Sequence, residues 1–461
     1  MQKGERILKQ AVKSKKLDML NGPLWNKIPQ FALPVAATAI LEQLFNASDL
    51  AVVGNFSGDI STIAVAAVGA NSFFIGLIVN FFVGIALGAN VVIANAIGRE
   101  DEAAVHRAVH TAIVLSVLGG VLIGIVGELI SGVVLHLMSV PEEVFPYALL
   151  YLRIYLLGMP VILLYNFEAA IFRSIGDTKV PLEALAFSGV LNVLLNLFFV
   201  AALHMNVDGV ATATVLSNAI SAVLLLVLLC RSDKNIRVTP HDLRLDRQTM
   251  QKILQIGLPA GLQSAVFSIS NIVIQSAINS LGAVAMAASS AAFNIEVISF
   301  DLLSSFGQAC TTFVGQNYGA GQLERCRKTL RLSIVEGLAV LAVVLPLFLY
   351  FGKPLISIFN HDPQVVDLGY IRLYTAMLAH VGSLVYEVIA GYLRGFGISL
   401  VPALLAIFGV CGVRIVWIVT VFPLHQTFQA IMLAYPLSIF TTALMMSIAL
   451  LVYRPSRKCS Q

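Results

Sequence analysis

Long apolar stretches recur along the whole chain and alternate with short polar connections. Each stretch can hold the roughly 20 residues that a membrane-spanning helix needs. The longer ones are expected to tilt or to extend beyond the bilayer. The pattern predicts twelve spanning helices, numbered here as spans 1 to 12: 28–53, 61–97, 105–137, 146–172, 181–203, 208–230, 253–279, 283–314, 330–358, 365–393, 400–422 and 427–453.

Composition agrees with a chain that lies mostly in lipid. Hydrophobic residues make up 58% of the 461 positions and charged residues only 12%. An ordinary soluble domain carries about 25% charged residues. The composition therefore excludes intrinsic disorder and argues against a soluble globular protein.

Basic residues mark alternate connections between the spans. Lys and Arg are concentrated in the N-terminal tail, in the central loop 231–252 and after residue 454. The connections near 54–60, 138–145, 204–207, 280–282 and 423–426 contain none. Since cytoplasmic loops are enriched in Lys and Arg, both termini are expected in the cytoplasm of a multi-pass protein of the cell (inner or plasma) membrane.

The two halves of the sequence repeat each other. Four segments match in the same order: 28–34 with 253–259, 94–107 with 315–328, 151–155 with 370–374, and 172–181 with 392–402. Halves of six spans each share one orientation and are related by an axis along the membrane normal. The predicted organisation is a cytoplasmic tail (1–27), an N-lobe (28–230), a cytoplasmic linker (231–252), a C-lobe (253–453) and a second cytoplasmic tail (454–461).

This duplication favours a transporter, in which two similar lobes enclose a binding site near the bilayer midplane. A symmetric scaffold is the alternative.

Span 1 carries a polar face made of Thr38, Glu42, Asn46 and Asp49, which follow one another at helical spacing. A carboxylate at membrane depth costs at least about 2.5–3.5 kcal/mol on insertion scales, so it is expected to face a protein interior or a wet cavity. Asp49 is the leading candidate to exchange a proton or a sodium ion. Glu42 is a weaker candidate, and a static polar anchor is the alternative for both.

Span 5 places Asn192 and Asn196 one helical turn apart. Their amide oxygens can ligate a hard cation or accept a hydrogen bond from a protonated carboxyl, so a Na⁺ site at Asp49, Asn192 and Asn196 is one hypothesis. Amides also join helices in membranes without any further role. Pro34, inside span 1, is the candidate hinge, because proline frees backbone groups and permits a bend.

The second half contains fewer clear candidates. Glu296 lies well inside span 8 and is the best of them, with a hydrogen-bonded core carboxyl as the alternative. Arg414, inside span 11, is expected to have a buried acidic partner. The remaining candidates are Asp301, Glu387 and Gln275.

Several motifs together resemble the multidrug and toxic compound extrusion (MATE) family. In the first half they are Pro34, Asp49 and Gly54, FRSIGDTKVP (172–181), LNVLLN (191–196) and GVATAT (209–214). In the second half they are VGQNYGAG (314–321) and YLRGFG (392–397). The resemblance implies an all-α membrane protein of twelve helices in two pseudo-symmetric six-helix lobes that open in a V.

The same resemblance implies a secondary antiporter, not an enzyme, that exports organic cations or amphiphilic compounds against inward H⁺ or Na⁺. It needs no cofactor, binds no nucleic acid and is expected to act as a monomer. The DinF-like branch is the nearer one, and its polar cluster suggests Tyr155, Asn166 and Thr214 as further site residues. Where many relatives have an Asp one turn after the span 5 Asn, this chain has Asn196, which removes one titratable group.

Two other functions are alternatives to a secondary antiporter. A lipid-linked precursor flippase of the same superfamily often has extra helices and a strongly basic cavity. Here, apart from basic residues near the span ends that are assigned to the connections, only Arg153, Arg372 and Arg414 fall within spans. A membrane-embedded enzyme would need a catalytic motif, and none is present. The five widely spaced cysteines suggest neither a zinc site nor a disulfide framework.

Overall fold

The computed structural model describes residues 17–232 and 236–455, and within these ranges the chain is helical with no strand. Most of the predicted tails, 1–27 and 454–461, lies outside the described residues. The helices are α1 (Lys27–Phe56), α2 (Gly58–Gly98), α3 (Glu102–Leu137), α4 (Phe145–Leu157), α5 (Met159–Ser174), α6 (Lys179–Ala202), α7 (Val207–Arg231), α8 (Arg247–Asn279), α9 (Ala283–Gly319), α10 (Leu323–Tyr350), α11 (Gly352–Ser357), α12 (Pro363–Gly395), α13 (Leu400–Thr420) and α14 (Phe428–Tyr453).

Among the described residues, eleven helices are long and apolar enough to cross a membrane, and the α4–α5 pair forms a twelfth span. The predicted all-α architecture with twelve spans is therefore confirmed. Three boundaries differ from the prediction by more than five residues. Helix α8 begins at Arg247, six residues before predicted span 7. Helix α10 begins at Leu323, seven residues before predicted span 9, and ends at Tyr350, eight residues before that span was expected to end, with α11 following as a separate short helix.

Span 4 is broken between its two arms, which meet at an angle of 51°. The break lies at Gly158, and Pro160 follows in the first turn of α5. Proline has no backbone N–H and its ring clashes with the preceding turn, so it interrupts the helical hydrogen bonds here. A side chain at position 158 would collide with Val215, which explains why glycine suits the break.

The chain folds into two compact units. Unit 1 contains Ala37–Ile97 and Asp101–Leu254, and unit 2 contains Asp18–Ala36, Gly98–Glu100 and the chain from Gln255 onwards. Helix α1 therefore begins in unit 2 and continues into unit 1, with Pro34 close to the change. It is helical throughout, including at Pro34.

The internal repeat is visible in the backbone turns. Gly176 and Gly397 occupy equivalent positions in the repeat and have positive φ angles of 83° and 81°. The N–H of Gly176 donates to Arg173 O at 2.9 Å, and that of Gly397 donates to Arg394 O at 2.8 Å. Only glycine adopts this left-handed conformation at little cost, so the two halves end these helices by the same device.

The described part of the central connection packs against α3 within unit 1. Ile236 and Val238 are buried. The N–H of Thr239 donates to Nε2 of His110 at 3.0 Å, and the N–H of Asp246 donates to Oγ1 of Thr111 at 3.3 Å. The linker is thus held to the first unit on its way to α8.

Candidate functional site

Asp49 lies in the second half of α1 and is buried, with 5% of its surface exposed. Two other helices supply hydrogen bonds to its carboxylate. Asn196 on α6 donates from Nδ2 to Oδ1 at 2.5 Å, and Thr214 on α7 donates from Oγ1 to Oδ2 at 2.9 Å. Each carboxylate oxygen therefore has a donor, as an ionised carboxyl buried in a membrane protein requires.

Asn192 closes this arrangement into a ring of four side chains, which we call the Asp49 network. It lies one helical turn before Asn196, and its Oδ1 accepts from Nδ2 of Asn196 at 3.2 Å. Its own Nδ2 points to Oγ1 of Thr214 at 3.4 Å. Directly after Asn196 the helix widens into a π-helical turn over Leu197–Ala202, a feature that often accompanies functional sites.

One acceptor of the network has no partner. Oδ1 of Asn196 is buried and makes no hydrogen bond within the described residues. A buried amide oxygen without a partner is costly, and such groups in native proteins call for an explanation. Here it gives the network a spare oxygen beside Asp49.

Two tyrosines of α4 adjoin the network. Tyr151 and Tyr155 stack with their ring centroids 6.2 Å apart. Both are buried closely enough to Asp49 for its charge to act on their phenol groups. Tyr155, proposed from the family resemblance, thus lies near the acid without bonding to it.

Two other first-half candidates are not part of the ring. Asn166 donates from Nδ2 to Ile162 O at 2.9 Å, which satisfies it within its own helix. Glu42 is exposed, and it lies close enough to Tyr155 and Tyr165 for its charge to act on their phenol groups. Glu168 on α5 is fully buried, and neither of its oxygens has a hydrogen-bond partner among the described residues.

The second unit contains a buried ion pair. Arg372 on α12 contacts Glu296 on α9, with Nε and Nη2 each 3.0 Å from Oε2. The remaining nitrogen of Arg372 donates to Oγ of Ser289 at 2.5 Å. The sequence marked Glu296 as a candidate but missed its partner. A signal was available, because a carboxylate inside a span needs a cation and few basic residues fall within spans.

Arg414 on α13 has no acidic partner among the described residues, so the predicted pairing was wrong. Its Nε donates to Oγ of Ser438 at 3.1 Å, and its Nη1 donates to Oδ1 of Asn271 at 3.3 Å. Its guanidinium carbon lies 4.4 Å from the ring centroid of Tyr435. The contacts of this cation are therefore neutral groups and an aromatic ring, through two hydrogen bonds and a cation–π contact.

The other second-half candidates are dispersed. Glu387 lies within electrostatic range of Arg394, which donates to Oε1 of Gln263 at 2.8 Å. Gln275 bonds to Asn279 of its own helix at 2.8 Å. Asp301 has a buried Oδ2 without a hydrogen-bond partner in the described chain. No hydrogen bond between described residues joins Glu387, Gln275 and Asp301 to one another.

One cluster in the described ranges has metal-ligand residue types within reach of one another: His106, His110 and Asp242. Both ring nitrogens of His110 are already used. Nε2 accepts from Thr239, and Nδ1 lies 2.8 Å from His106 O. The cluster is therefore better explained as the attachment of the linker to α3 than as a metal site.

Comparisons with known proteins agree on one family. The family model MatE matches residues 34–198 and 259–420. The chain is 25% identical over 404 residues to the probable multidrug resistance protein YoeA of Bacillus subtilis, covering 85% of this chain and 86% of that protein. It is 26% identical over 392 residues to the probable multidrug resistance protein NorM of Thermotoga maritima, covering 84% and 83%.

A solved structure shares the fold. It is described as the outward-facing conformation of a multidrug resistance MATE family transporter of the MOP superfamily. The two chains superpose with a TM-score of 0.88 over 96% of this chain and 99% of the other, at 21% sequence identity.

Proposed function

Since the chain belongs to the MatE family of multidrug efflux transporters, we propose that it exports small amphiphilic or cationic compounds in exchange for an inward flow of H⁺ or Na⁺. The exporter alternates between states in which its binding site opens to one side of the cell membrane or to the other. Both termini lie in the cytoplasm. The repeated halves supply the pseudo-symmetric pair of lobes that this mode of transport uses.

The Asp49 network is the observation that carries this proposal. A carboxyl can change its charge by taking up a proton or a sodium ion, whereas amides and hydroxyls cannot. Because the network draws its members from α1, α6 and α7, a change at Asp49 alters the contacts between three helices. Ion binding is thereby coupled to helix packing.

For proton coupling, Asn196 supplies the second state of the network. While Asp49 is ionised, the amide N–H of Asn196 donates to it. When Asp49 takes up a proton, its new O–H needs an acceptor, and rotation of the Asn196 amide by half a turn presents Oδ1. This oxygen has no other hydrogen-bond partner among the described residues, so the rotation changes only the bonds that Nδ2 donates to Asp49 and Asn192.

For sodium coupling, the same oxygens form a fitting set of ligands. Asp49, Asn192 and Asn196 contribute carboxylate and amide oxygens, which suit a hard cation. The hydroxyl of Thr214 is a fourth oxygen beside them. Sodium and protons would then compete for one site.

Transport in reconstituted vesicles tests the proposal. Uptake of ethidium, a fluorescent amphiphilic cation, would be driven separately by an imposed pH gradient and by an imposed Na⁺ gradient. At least one gradient should drive uptake by the native protein. Asp49→Asn keeps the shape of the side chain and removes its charge exchange, so it should reduce gradient-driven uptake to the level of empty vesicles.

Asp59→Asn is the matched control, because Asp59 is an exposed acid in the first turn of α2. It should transport like the native protein. Full gradient-driven uptake by Asp49→Asn would refute the role of Asp49 and move the coupling to another acid such as Asp301, which is partly buried.

A further inference from the structure

The buried charges of unit 2 do not balance around Tyr435. Arg372 and Arg414 both approach its ring, with guanidinium carbons 5.4 Å and 4.4 Å from the centroid. The two arginines are 4% and 8% exposed. Glu296 is the one carboxylate that either of them contacts in the described chain.

Every guanidinium nitrogen of Arg372 already has a partner. Two of its nitrogens bond to Glu296 and the third bonds to Ser289. Its charge is therefore neutralised by the pair, and the charge of Arg414 remains as the excess.

Arg414, by contrast, makes hydrogen bonds to described residues with only two of its three guanidinium nitrogens. Nε and Nη1 donate to Ser438 and Asn271, and Nη2 makes no hydrogen bond within the described residues. A buried guanidinium is normally paired with an anion, because removing a charge from water is expensive unless an opposite charge replaces the solvent. The neutral partners of Arg414 orient the group without compensating its charge.

We propose that Arg414 binds an anionic group of the transported compound, and that this exporter accepts amphiphilic anions carrying a carboxylate or a phosphate. The planar guanidinium is suited to both groups, since it donates parallel hydrogen bonds to two oxygens. This inference specifies the substrate class of the proposed exporter and therefore rests on the proposed export function.

Aromatic side chains beside the arginines fit the apolar part of such a compound. Phe293 is 45% exposed and lies 5.3 Å from the guanidinium carbon of Arg372, measured to its ring centroid. Tyr435 contacts both arginines. An aromatic amphiphile can place its anionic group on Arg414 and its ring against these side chains.

Binding of two probes that share one ring system and differ in charge tests the inference. The probes are 1-naphthyl phosphate and 1-naphthylmethylammonium, titrated by calorimetry into the protein in phosphatidylcholine nanodiscs. The native protein should bind the phosphate. Arg414→Gln retains hydrogen-bonding capacity but loses the charge, and should weaken binding of the phosphate by about 10- to 100-fold. Binding of the ammonium probe should not weaken.

Two further variants test whether weaker phosphate binding by Arg414→Gln reflects misfolding. Arg414→Lys keeps the charge and should retain more phosphate binding than Arg414→Gln. Arg153→Gln is the matched control, since Arg153 occupies the position equivalent to Arg372 in the repeat but is 53% exposed. It should bind both probes like the native protein. Equal affinity of native protein and Arg414→Gln for the phosphate would overturn the inference.

An anionic lipid headgroup is the other possible source of the phosphate. Nanodiscs containing phosphatidylglycerol distinguish the two sources. If the added lipid abolishes phosphate binding by the native protein at probe concentrations that saturate the site in phosphatidylcholine, the site belongs to lipid and the substrate inference fails.

The outcomes also separate this inference from export itself. Arg414-dependent binding without any gradient-driven transport of either probe would refute the proposed export function and leave the anion site intact. Gradient-driven transport of the cation alone, unaffected by Arg414→Gln, would support the proposed export function and refute the anionic substrate class.

Discussion

A single titratable group lies at the centre of the Asp49 network, because position 196 carries an amide. Asn196 donates to Asp49 at 2.5 Å, so an acid at position 196 would lie directly beside the first one. Two carboxylates at this separation cannot both ionise easily and titrate as a pair. The chain therefore offers a direct test of how many charges the network exchanges.

Asn196→Asp should shift the pH dependence of transport towards higher pH. The second negative charge favours proton binding, so the pair keeps one proton at pH values where Asp49 alone would release it. The initial rate of ethidium uptake in vesicles, measured between pH 5.5 and 8.5 with and without Na⁺, provides the readout. We expect the pH midpoint to move by about one unit or more.

Asn279→Asp controls for an added acid, since Asn279 is exposed at the end of α8. Its pH profile should match that of the native protein. An unchanged profile in Asn196→Asp would show that position 196 does not sense the charge of Asp49.

At the scale of single residues, the sequence predicted the four members of the network together with side chains that do not belong to it. Asp49, Asn192 and Asn196 were expected because polar groups in lipid need partners, and Thr214 was suggested by the family resemblance. Asn166 was included as well, yet it bonds to the carbonyl four residues earlier in its own helix. Sequence cannot distinguish an amide that bridges helices from one satisfied locally, because the choice depends on rotamer and packing. The wrong partner type for Arg414 has the same cause.

Among the elements, the helices were predictable from hydrophobicity alone and the bends were not. The spans agreed because about 20 apolar residues have few alternatives to a helix in lipid. The break at Gly158 was not predicted, and the closeness of Val215, which leaves no room for a side chain at position 158, is visible only in the structure. Conversely, Pro34 lies inside a continuous helix, and its role as a hinge stays a prediction.

The segment before α1 is held to unit 2 by α9 and α10. Arg325 donates from Nη2 to Met19 O and from Nη1 to Gly22 O, each at 3.0 Å, and Asn317 donates to Met19 O at 3.2 Å. Next to Met19, Asp18 accepts from the backbone of Leu20 at 3.0 Å. Although partial burial opposes ionisation, hydrogen bonds such as this one lower the pKa of Asp18.

Arg325→Gln should loosen this segment without unfolding the helices. Losing charge-assisted hydrogen bonds at a partly exposed site costs about 1 kcal/mol, which corresponds to roughly fivefold faster local opening. Hydrogen–deuterium exchange of a peptide covering residues 19–28 is the measurement. Arg331→Gln is the control, as Arg331 is exposed on the same helix. Equal exchange in both variants would contradict the anchoring role of Arg325.

For the whole molecule, the repeat predicted the architecture better than it predicted the chemistry. Equivalent turns recur at Gly176 and Gly397, since a backbone conformation is dictated by local sequence. Arg153 and Arg372 also occupy equivalent positions, but the side chain of the first is 53% exposed beside Glu128 and that of the second is 5% exposed against Glu296. The same type of ion pair is therefore exposed in one half and buried in the other, which no comparison of the two sequences alone would reveal.

Orientation in the membrane is the last prediction at this scale, and it follows from the basic connections. Single cysteines at His241 and Asp59, introduced after replacement of the five native cysteines, would be probed with a membrane-impermeant maleimide. Both positions are exposed, His241 with 98% of its side-chain surface, so accessibility would report the side of the membrane. Asp59→Cys should react in intact cells, and His241→Cys only after permeabilisation, because the central connection is rich in Lys and Arg. Labelling of His241→Cys in intact cells would invert the orientation and, with it, the direction of export.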